Sequence, residues 1–242
     1  MDKAGGKPFG SPVPTIMRLG KNGEYTTVTP LGPRSYKVSR RVILVHGFGS
    51  VFSGKYDIDR LRPFFEAEGY EVVEFNYGFR LFTTVRNPKW AKKLYEMTQP
   101  GDAVVGFSNG CGVAQLASLP DEETGRPGAP FSQIVFLAPA LDVNVEIGPQ
   151  VNLIHVWHTA TDEATFIGQF IPGSQFGPMG NHGYLGKDPR FINYDRASYV
   201  YRIRSFTHLD VLLVDSKRNY FGPIIARRVR ECEGVRLTES QL

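Results

Sequence analysis

The stretch DAVVGFSNGCGVAQLASL, residues 102–119, decides the fold. An apolar run leads to Phe107, Ser108 follows it, and the residues after the serine form a helix-like run. Gly106 and Gly110 stand two residues to either side of the serine. At a sharp turn from strand to helix, bulky side chains at these two positions would collide with the neighbouring strand and helix. The stretch therefore predicts a buried strand, a tight turn that carries Ser108, and a helix.

The same alternation of strand and helix extends over most of the chain. Further strand-like runs occur at 40–47, 71–77, 132–139 and 152–159, and further helix-like runs at 57–70 and 87–99. Strands that are apolar almost throughout and are separated by helix-sized segments indicate a mostly parallel central sheet with helices on both faces. The predicted fold class is therefore α/β.

The N-terminal region and one internal segment depart from this pattern. Residues 1–14 are rich in Gly and Pro and predict a flexible tail. TIMRLGKNGEYTTV, residues 15–28, has two strand-like runs around an Asn-Gly turn and predicts a β-hairpin. Residues 166–195, rich in Gly, Pro and aromatics, predict an inserted loop near the functional site. We expect one domain over 15–242, a length that suits a single core.

Composition and charge argue against several function classes. The net charge of the 242 residues is +4, and no basic stripe interleaved with aromatics indicates nucleic-acid binding. No apolar run approaches the roughly 18 residues of a membrane span, and the first residues lack the apolar core of a secretory signal. The two cysteines lack CxxC spacing, which suits a reducing compartment. We expect a soluble cytoplasmic protein with no metal, no cofactor and no integral membrane segment; the oligomeric state is left open.

A second motif, HGFGS at residues 46–50, follows the strand-like run 40–47. In this position the backbone N–H of Phe48 could pair with that of Asn109 to form an oxyanion hole, the pair of donors that acyl transfer needs. His46 is expected to shape this turn and not to act as a base. Over residues 40–232, a strand that ends in His-Gly, a helix, a strand and then GFSNG at a strand-turn-helix junction resemble the α/β-hydrolase family.

The resemblance implies a catalytic triad in the chain order nucleophile, acid, histidine. Ser108 is the implied nucleophile. His208 is the implied base, because it follows the strand-like run 197–203 and precedes the last helix. Asp162, after the strand-like run 152–159, matches the family's acid, and Asp142, after the preceding strand, is the alternative. Three other acidic residues remain open for this role: Asp195, Asp210 and Glu163.

Residues near the predicted site loops are expected to contact the substrate. They are Gly47, Phe107, His182 and Tyr184, and His182 is also the second candidate for the base. Several phenylalanines near these loops suggest an apolar pocket for an acyl or alcohol group, although ordinary core packing explains them equally well.

The sequence thus predicts a serine hydrolase that cleaves a carboxylic ester or thioester of a small molecule through an acyl-enzyme on Ser108. Two alternatives remain open. One is an acyltransferase of the same fold, and the other is a catalytically silent member that binds a small molecule or a protein.

Overall fold

The computed structural model describes residues 16–19, 25–28, 40–47, 57–78, 87–163, 176–196 and 207–233. The chain divides into two compact units, one within residues 1–37 and one within 38–242. In the first unit, β1 (Ile16–Leu19) pairs antiparallel with β2 (Tyr25–Val28), which confirms the predicted hairpin. The predicted tail, 1–14, lies outside the described residues, and the predicted domain boundaries stay predictions.

The second unit contains a six-stranded sheet in which all neighbouring strands are parallel. Its strands are β3 (Arg41–Val45), β4 (Glu71–Phe75), β5 (Ala103–Phe107), β6 (Gln133–Leu137), β7 (Leu153–His158) and β8 (Phe191–Asp195). Their order across the sheet is β4-β3-β5-β6-β7-β8. Every residue of the central strands β5 and β6 is buried, as expected of strands covered on both faces. The predicted α/β class with a parallel sheet is confirmed.

Helices cover both faces of this sheet. They are α1 (Arg62–Ala67), preceded by a 3₁₀ turn at Ile58–Leu61, α2 (Asn87–Met97), α3 (Asn109–Ser118), α4 (Met179–His182), α5 (Asp210–Leu213) and α6 (Asp215–Glu231). Apolar residues of α2 and α3 belong to one core cluster, and those of α1 and α6 belong to another. Successive strand residues alternate between the clusters, since Ile43 joins the first whereas Val42 and Leu44 join the second.

The strand order fixes where a site can form. The chain runs from β3 outward to β4 and then returns past β3 to β5, so the connections leave the carboxyl ends of β3 and β5 in opposite directions. A crevice opens at such a reversal, and ligands of open α/β sheets bind there. His46 follows β3 and Ser108 follows β5, so the two motifs found in the sequence meet at this point.

The predicted inserted loop at 166–195 needs a correction at its end. Residues 191–195 form β8, the edge strand, which pairs with β7, and 179–182 form the short helix α4. The strand escaped prediction because it has only five residues, lies in a segment rich in Gly and Pro, and buries only Tyr194. Residues 164–175 and the strand-like run 197–203 lie outside the described residues.

Candidate active site

Ser108 occupies a strained turn between β5 and α3. Its backbone has φ 52° and ψ −119°, a combination that residues other than glycine rarely adopt. A Cβ atom at Gly106 would lie 2.8 Å from Cys111 N, and one at Gly110 would lie 2.3 Å from Val45 O. Both distances are too short for any side chain, so the two glycines are what allow the helix to start this close to the strands. The predicted reason for the glycines is confirmed.

The first residue of α3 supplies one predicted oxyanion donor. The N–H of Asn109 has no carbonyl partner within its helix, and it lies at the positive end of the helix dipole. The turn after β3 lies against the serine turn, because a Cβ atom at Gly47 would be 2.8 Å from Phe107 Cδ1 and 3.1 Å from Ser108 Cβ. Phe48, the second predicted donor, lies outside the described residues, so its role stays a prediction.

A buried hydrogen-bond network ties these two turns together. Tyr77 OH donates to His46 O at 2.7 Å and accepts from Asn109 Nδ2 at 3.3 Å. The side-chain amides of Asn109 and Asn87 bond to each other in both directions, at 2.9 and 3.2 Å. The amide of Asn109 therefore fixes the start of α3 to both the β3 turn and the start of α2.

His46 is neutral and structural in this network. Its Nδ1 lies 2.8 Å from Gly47 O, which makes Nδ1 the donor, and its Nε2 accepts from Tyr77 N at 3.3 Å. The His46 and Tyr77 rings also stack with centroids 4.0 Å apart. Burial lowers the pKa of His46, in agreement with a neutral ring. These contacts support the expectation that His46 shapes the turn.

His208 and Asp162 are brought together as the resemblance implies. His208 Nδ1 lies 2.9 Å from Asp162 Oδ1 and 3.0 Å from Oδ2. The His208 ring packs against Phe107, the residue before the serine, with centroids 5.0 Å apart. The turn that carries His208 is closed by Asp210, whose carboxylate accepts from Thr207 N at 2.9 Å and from Thr207 Oγ1 at 2.7 Å.

Because Nδ1 of His208 donates to the carboxylate, its Nε2 is the nitrogen that can accept a proton. Within the described residues, no hydrogen bond joins Ser108 Oγ to His208. The two residues are nevertheless near each other, because Phe107, next to Ser108 in the chain, contacts the His208 ring. Ser108 itself is 9% exposed. Catalytic hydrogen bonds of this type are often long before substrate binds and tighten in the complex. The predicted role of each group stays a prediction.

Asp162 is held from several sides. It follows β7, it is fully buried, and its N–H donates to Thr159 O at 3.0 Å. Asn181 of α4 donates through Nδ2 to Asp162 O at 2.9 Å. Arg196, directly after β8, places Nη2 3.7 Å from Asp162 Oδ2. Asn181 therefore holds the backbone of Asp162, and Arg196 lies beside its carboxylate.

Asp142, the alternative acid, occupies a different place. It is exposed, and its Oδ1 accepts from Asn144 N at 2.9 Å in a local turn after β6. His208 bonds to Asp162 and not to Asp142. The geometry therefore favours Asp162 as the partner of the histidine.

A cleft of about 180 Å³ opens beside the serine turn. Asn109 lines it, and so does Ala140, whose N–H donates to Ser108 O at 3.4 Å. Its other lining residues come from α2, α3, the segment after β6 and Phe176: Asn87, Gly112, Gln115, Leu116, Leu141, Asp142, Val145 and Phe176. The cleft is therefore mixed, with apolar walls and carboxamide groups on one side.

The predicted substrate contacts are distributed differently. Gly47 and Phe107 lie against the serine turn, with Phe107 buried in the core cluster that includes α6. His182 is exposed at the end of α4. Tyr184 stacks on Phe191 with centroids 3.6 Å apart, and its backbone bonds to the Asn193 side chain. These contacts show that Tyr184 packs against β8. A substrate contact of His182 or Tyr184 stays a prediction.

The described residues contain neither a cluster suited to a metal ion nor a helix suited to a membrane. In the part of the chain that the structure describes, no group of three or more His, Cys, Asp or Glu side chains could hold a metal ion. Among the described helices, none combines the length and the apolar character needed to cross a lipid bilayer.

The order of six parallel strands, the helices on both faces of the sheet and the strained serine turn after β5 identify the fold. This chain has an α/β-hydrolase fold. No protein-family description matches the sequence, and no curated protein matches it either.

Solved structures similar to this α/β-hydrolase fold are distant in sequence. An esterase domain from Rhodothermus marinus is 14% identical, with 89% of this chain and 97% of that chain covered and a TM-score of 0.45. An esterase from Pyrococcus furiosus is 14% identical, with 82% and 84% covered and a TM-score of 0.47. A metagenomic carboxyl esterase is 13% identical, with 91% and 84% covered and a TM-score of 0.47.

Four residues that contact the candidate site residues or the turns that carry them were not predicted from the sequence. They are Tyr77, Asn87, Asn181 and Arg196. Each acts through a contact with a residue that is distant in the chain, so no local pattern marks it. The only available signal was Asn87 at a predicted helix start, and there it suggested a helix cap.

Proposed function

We propose that this protein is a serine hydrolase that cleaves a carboxylic ester or thioester through an acyl-enzyme on Ser108. The observation that carries the proposal is the strained serine turn at the sheet's switch point, with a histidine beside it whose Nδ1 bonds to a buried carboxylate. Strain of this kind persists where surrounding structure enforces it, and it is concentrated at functional sites.

In the first half of the reaction, Ser108 Oγ attacks the acyl carbon while His208 Nε2 takes its proton. Asp162 accepts from Nδ1–H, which holds the ring in the required tautomer and stabilises the imidazolium. The carbonyl oxygen becomes an oxyanion, stabilised by the N–H of Asn109 and, as predicted, that of Phe48. The bond to the leaving group then breaks as His208 returns the proton to the leaving oxygen or sulfur.

In the second half, water replaces the leaving group. His208 Nε2 takes a proton from the water as its oxygen attacks the acyl carbon of the ester on Ser108. The bond from this carbon to Ser108 Oγ breaks, His208 protonates the serine, and the carboxylic acid leaves. The same two proton transfers through one ring nitrogen serve both halves, so no other acid or base is required.

The cleft beside the serine turn is the proposed place for part of the substrate. Its volume of about 180 Å³ is below the roughly 300–1,000 Å³ of pockets for drug-sized ligands, so we expect a short acyl or alcohol group there. A panel of p-nitrophenyl esters of increasing acyl length tests this. We expect kcat/KM to fall as the acyl chain exceeds a few carbons, and a preference for long chains would contradict this assignment of the cleft.

A fluorophosphonate probe tests the central claim. We expect covalent labelling of Ser108, located by mass spectrometry, that is lost in Ser108→Ala and strongly reduced in His208→Ala. Circular dichroism must show that both variants fold. A folded wild-type protein that stays unlabelled would refute the proposal and favour a silent binding protein. Product analysis with an added acceptor alcohol then separates hydrolysis from acyl transfer.

A further inference from the structure

The guanidinium of Arg196 is an unusual feature beside the candidate triad. Arg196 is fully buried, and among the residues that the structure describes its Nε, Nη1 and Nη2 atoms have no hydrogen-bond partner. Its Nη2 lies 3.7 Å from Asp162 Oδ2, and that carboxylate is also fully buried. An isolated buried charge is strongly destabilising, so a buried cation requires a compensating partner. The Asp162 carboxylate is close enough to be this partner.

The buried Asp162 carboxylate in turn requires a nearby positive charge to stay ionised. Burial favours the neutral form of a carboxyl group, whereas an arginine within about 4–6 Å favours the charged form. Only the charged form of Asp162 can accept from His208 Nδ1–H through either oxygen and stabilise an imidazolium. We propose that Arg196 is a positioning residue whose buried charge keeps Asp162 ionised and so sets the pH range in which His208 can accept the serine proton. This inference rests on the proposed hydrolase function.

Among the acidic groups near Arg196, Asp162 has the largest electrostatic effect on it, and Asp210 and Asp195 follow. Asp210 on α5 is neutralised by Lys217 of α6, whose ammonium contacts it directly. Asp195 precedes Arg196 on β8 and is half-buried. His158, at the end of β7, has its pKa lowered by burial and is a neutral neighbour. Burial also lowers the pKa of Arg196, to about 10, which leaves it charged at neutral pH.

The direction of the expected effect does not depend on which group takes the proton. Asp162 and His208 share a hydrogen bond, so a proton bound by either group prevents the pair from acting as a base. Removing a nearby positive charge increases the affinity of this pair for a proton, whether the proton lies on the carboxylate or on the ring. Because the pair must be free of that proton for His208 to act as a base, the acidic limb of kcat/KM must move to higher pH.

The first experiment measures kcat/KM against pH, by pH-stat titration with a short-chain ester, for wild type, Arg196→Gln and Arg196→Lys. We expect the acidic limb of Arg196→Gln to rise by about one pH unit or more, the range seen for a carboxylate that loses an arginine partner. Arg196→Lys keeps the charge and should shift less. Arg228→Gln, which removes an exposed arginine paired with Glu231, is the charge-matched control and should not move the limb.

Two results of this experiment would overturn the inference. One is an Arg196→Gln profile with a lower plateau and an unmoved acidic limb, which indicates a purely structural role. The other is an equal shift in the Lys and Gln variants, which shows that charge is not the cause.

A second experiment needs no activity and separates this inference from the proposed function. Thermal unfolding is compared for wild type, Asp162→Asn, Arg196→Gln and the double variant. We expect Asp162→Asn to lower Tm by leaving the guanidinium uncompensated, and we expect Arg196→Gln added to it to restore part of the loss. Strictly additive losses of Tm would overturn the pairing even if the esterase assay is positive. A restored Tm with no esterase activity would leave the pairing intact and remove the proposed function.

Discussion

Replacing Gly110 by alanine should test how the serine turn is held together. A Cβ atom at this position would lie 2.3 Å from Val45 O and 2.5 Å from His46 O. Ordinary contacts begin near 3.4 Å, so one partner must move by about 1 Å. Both obstacles are backbone carbonyls at the end of the central strand β3, and they cannot rotate away as a side chain can.

The energy of this substitution combines two opposing effects. Alanine is favoured over glycine inside a helix by about 1 kcal/mol. Overpacking a close contact costs about 1–3 kcal/mol, and a rigid backbone obstacle places the cost at the upper end of this range. We therefore expect Gly110→Ala to lower the free energy of unfolding by about 2 kcal/mol, since the steric cost exceeds the helix gain.

Gly112 offers a matched control two residues further along the same helix. A Cβ atom there would first meet Asn87 Nδ2 at 3.3 Å, the end of a side chain that can adjust by a few tenths of an ångström. The helix gain should then dominate, so Gly112→Ala should be neutral or stabilising by up to about 1 kcal/mol. Urea unfolding followed by circular dichroism measures both variants. Equal stability of Gly110→Ala and Gly112→Ala would refute the reasoning.

Gly110→Ala should also impair catalysis. Displacing His46 O disturbs its hydrogen bond with Tyr77 and the adjacent turn at Gly47. Loss of one oxyanion donor costs about 10²–10³ in kcat, so we expect kcat to fall at least about tenfold with KM little changed. A rise in KM alone, with kcat intact, would show that the turn does not position a donor.

Three other predictions follow from the site. Asp162→Asn should reduce kcat by about 10³–10⁴, as loss of the correct histidine tautomer does in a serine triad. Asp142→Asn should change kcat by less than about threefold. A large loss of kcat in Asp142→Asn would reverse the assignment of the acid. Tyr77→Phe should lower kcat with KM unchanged and reduce the free energy of unfolding by about 1–3 kcal/mol, because Asn109 Nδ2 and His46 O lose a buried partner. Unchanged kcat at reduced stability would make the network purely structural. Burial lowers the pKa of His155 to about 4, so as the pH falls the unfolded state binds a proton before the folded state does. The free energy of unfolding should therefore fall by about 3 kcal/mol between pH 6.5 and 4. Urea titrations at several pH values measure this dependence on pH, and His155→Leu should reduce it.

The centre of the fold could be predicted because its signals are local. The strands β3, β5 and β6 are buried on both faces, so each one reads as a continuous apolar run. Gly106 and Gly110 are required by backbone contacts within a few residues or on the adjacent strand, and a glycine in such a place is visible in the sequence.

The edge of the sheet could not be predicted in the same way. Strand β8 is exposed at Ile192 and Asn193 and buried only at Tyr194. Its sequence therefore lacks the continuous apolar run that marks the central strands. Its neighbour α4 has four residues, too few for a helical period. These two elements nevertheless bring Asn181 and Arg196 to Asp162, so the least predictable part of the described fold holds the candidate acid.

The two sides of the candidate site are held by different forces, and this makes them separable. On the oxyanion side, Tyr77, Asn109 and a neutral His46 interact through uncharged hydrogen bonds, which a change of pH between 6 and 9 or of salt should leave intact. On the acid–base side, His208 and Asp162 form a charge-dependent pair next to a buried arginine. A perturbation of the first side should therefore lower kcat equally at every pH, whereas a perturbation of the second should displace the pH profile. If Tyr77→Phe moved the acidic limb, the two sides would be coupled, and a description of the site as two independent supports would be wrong.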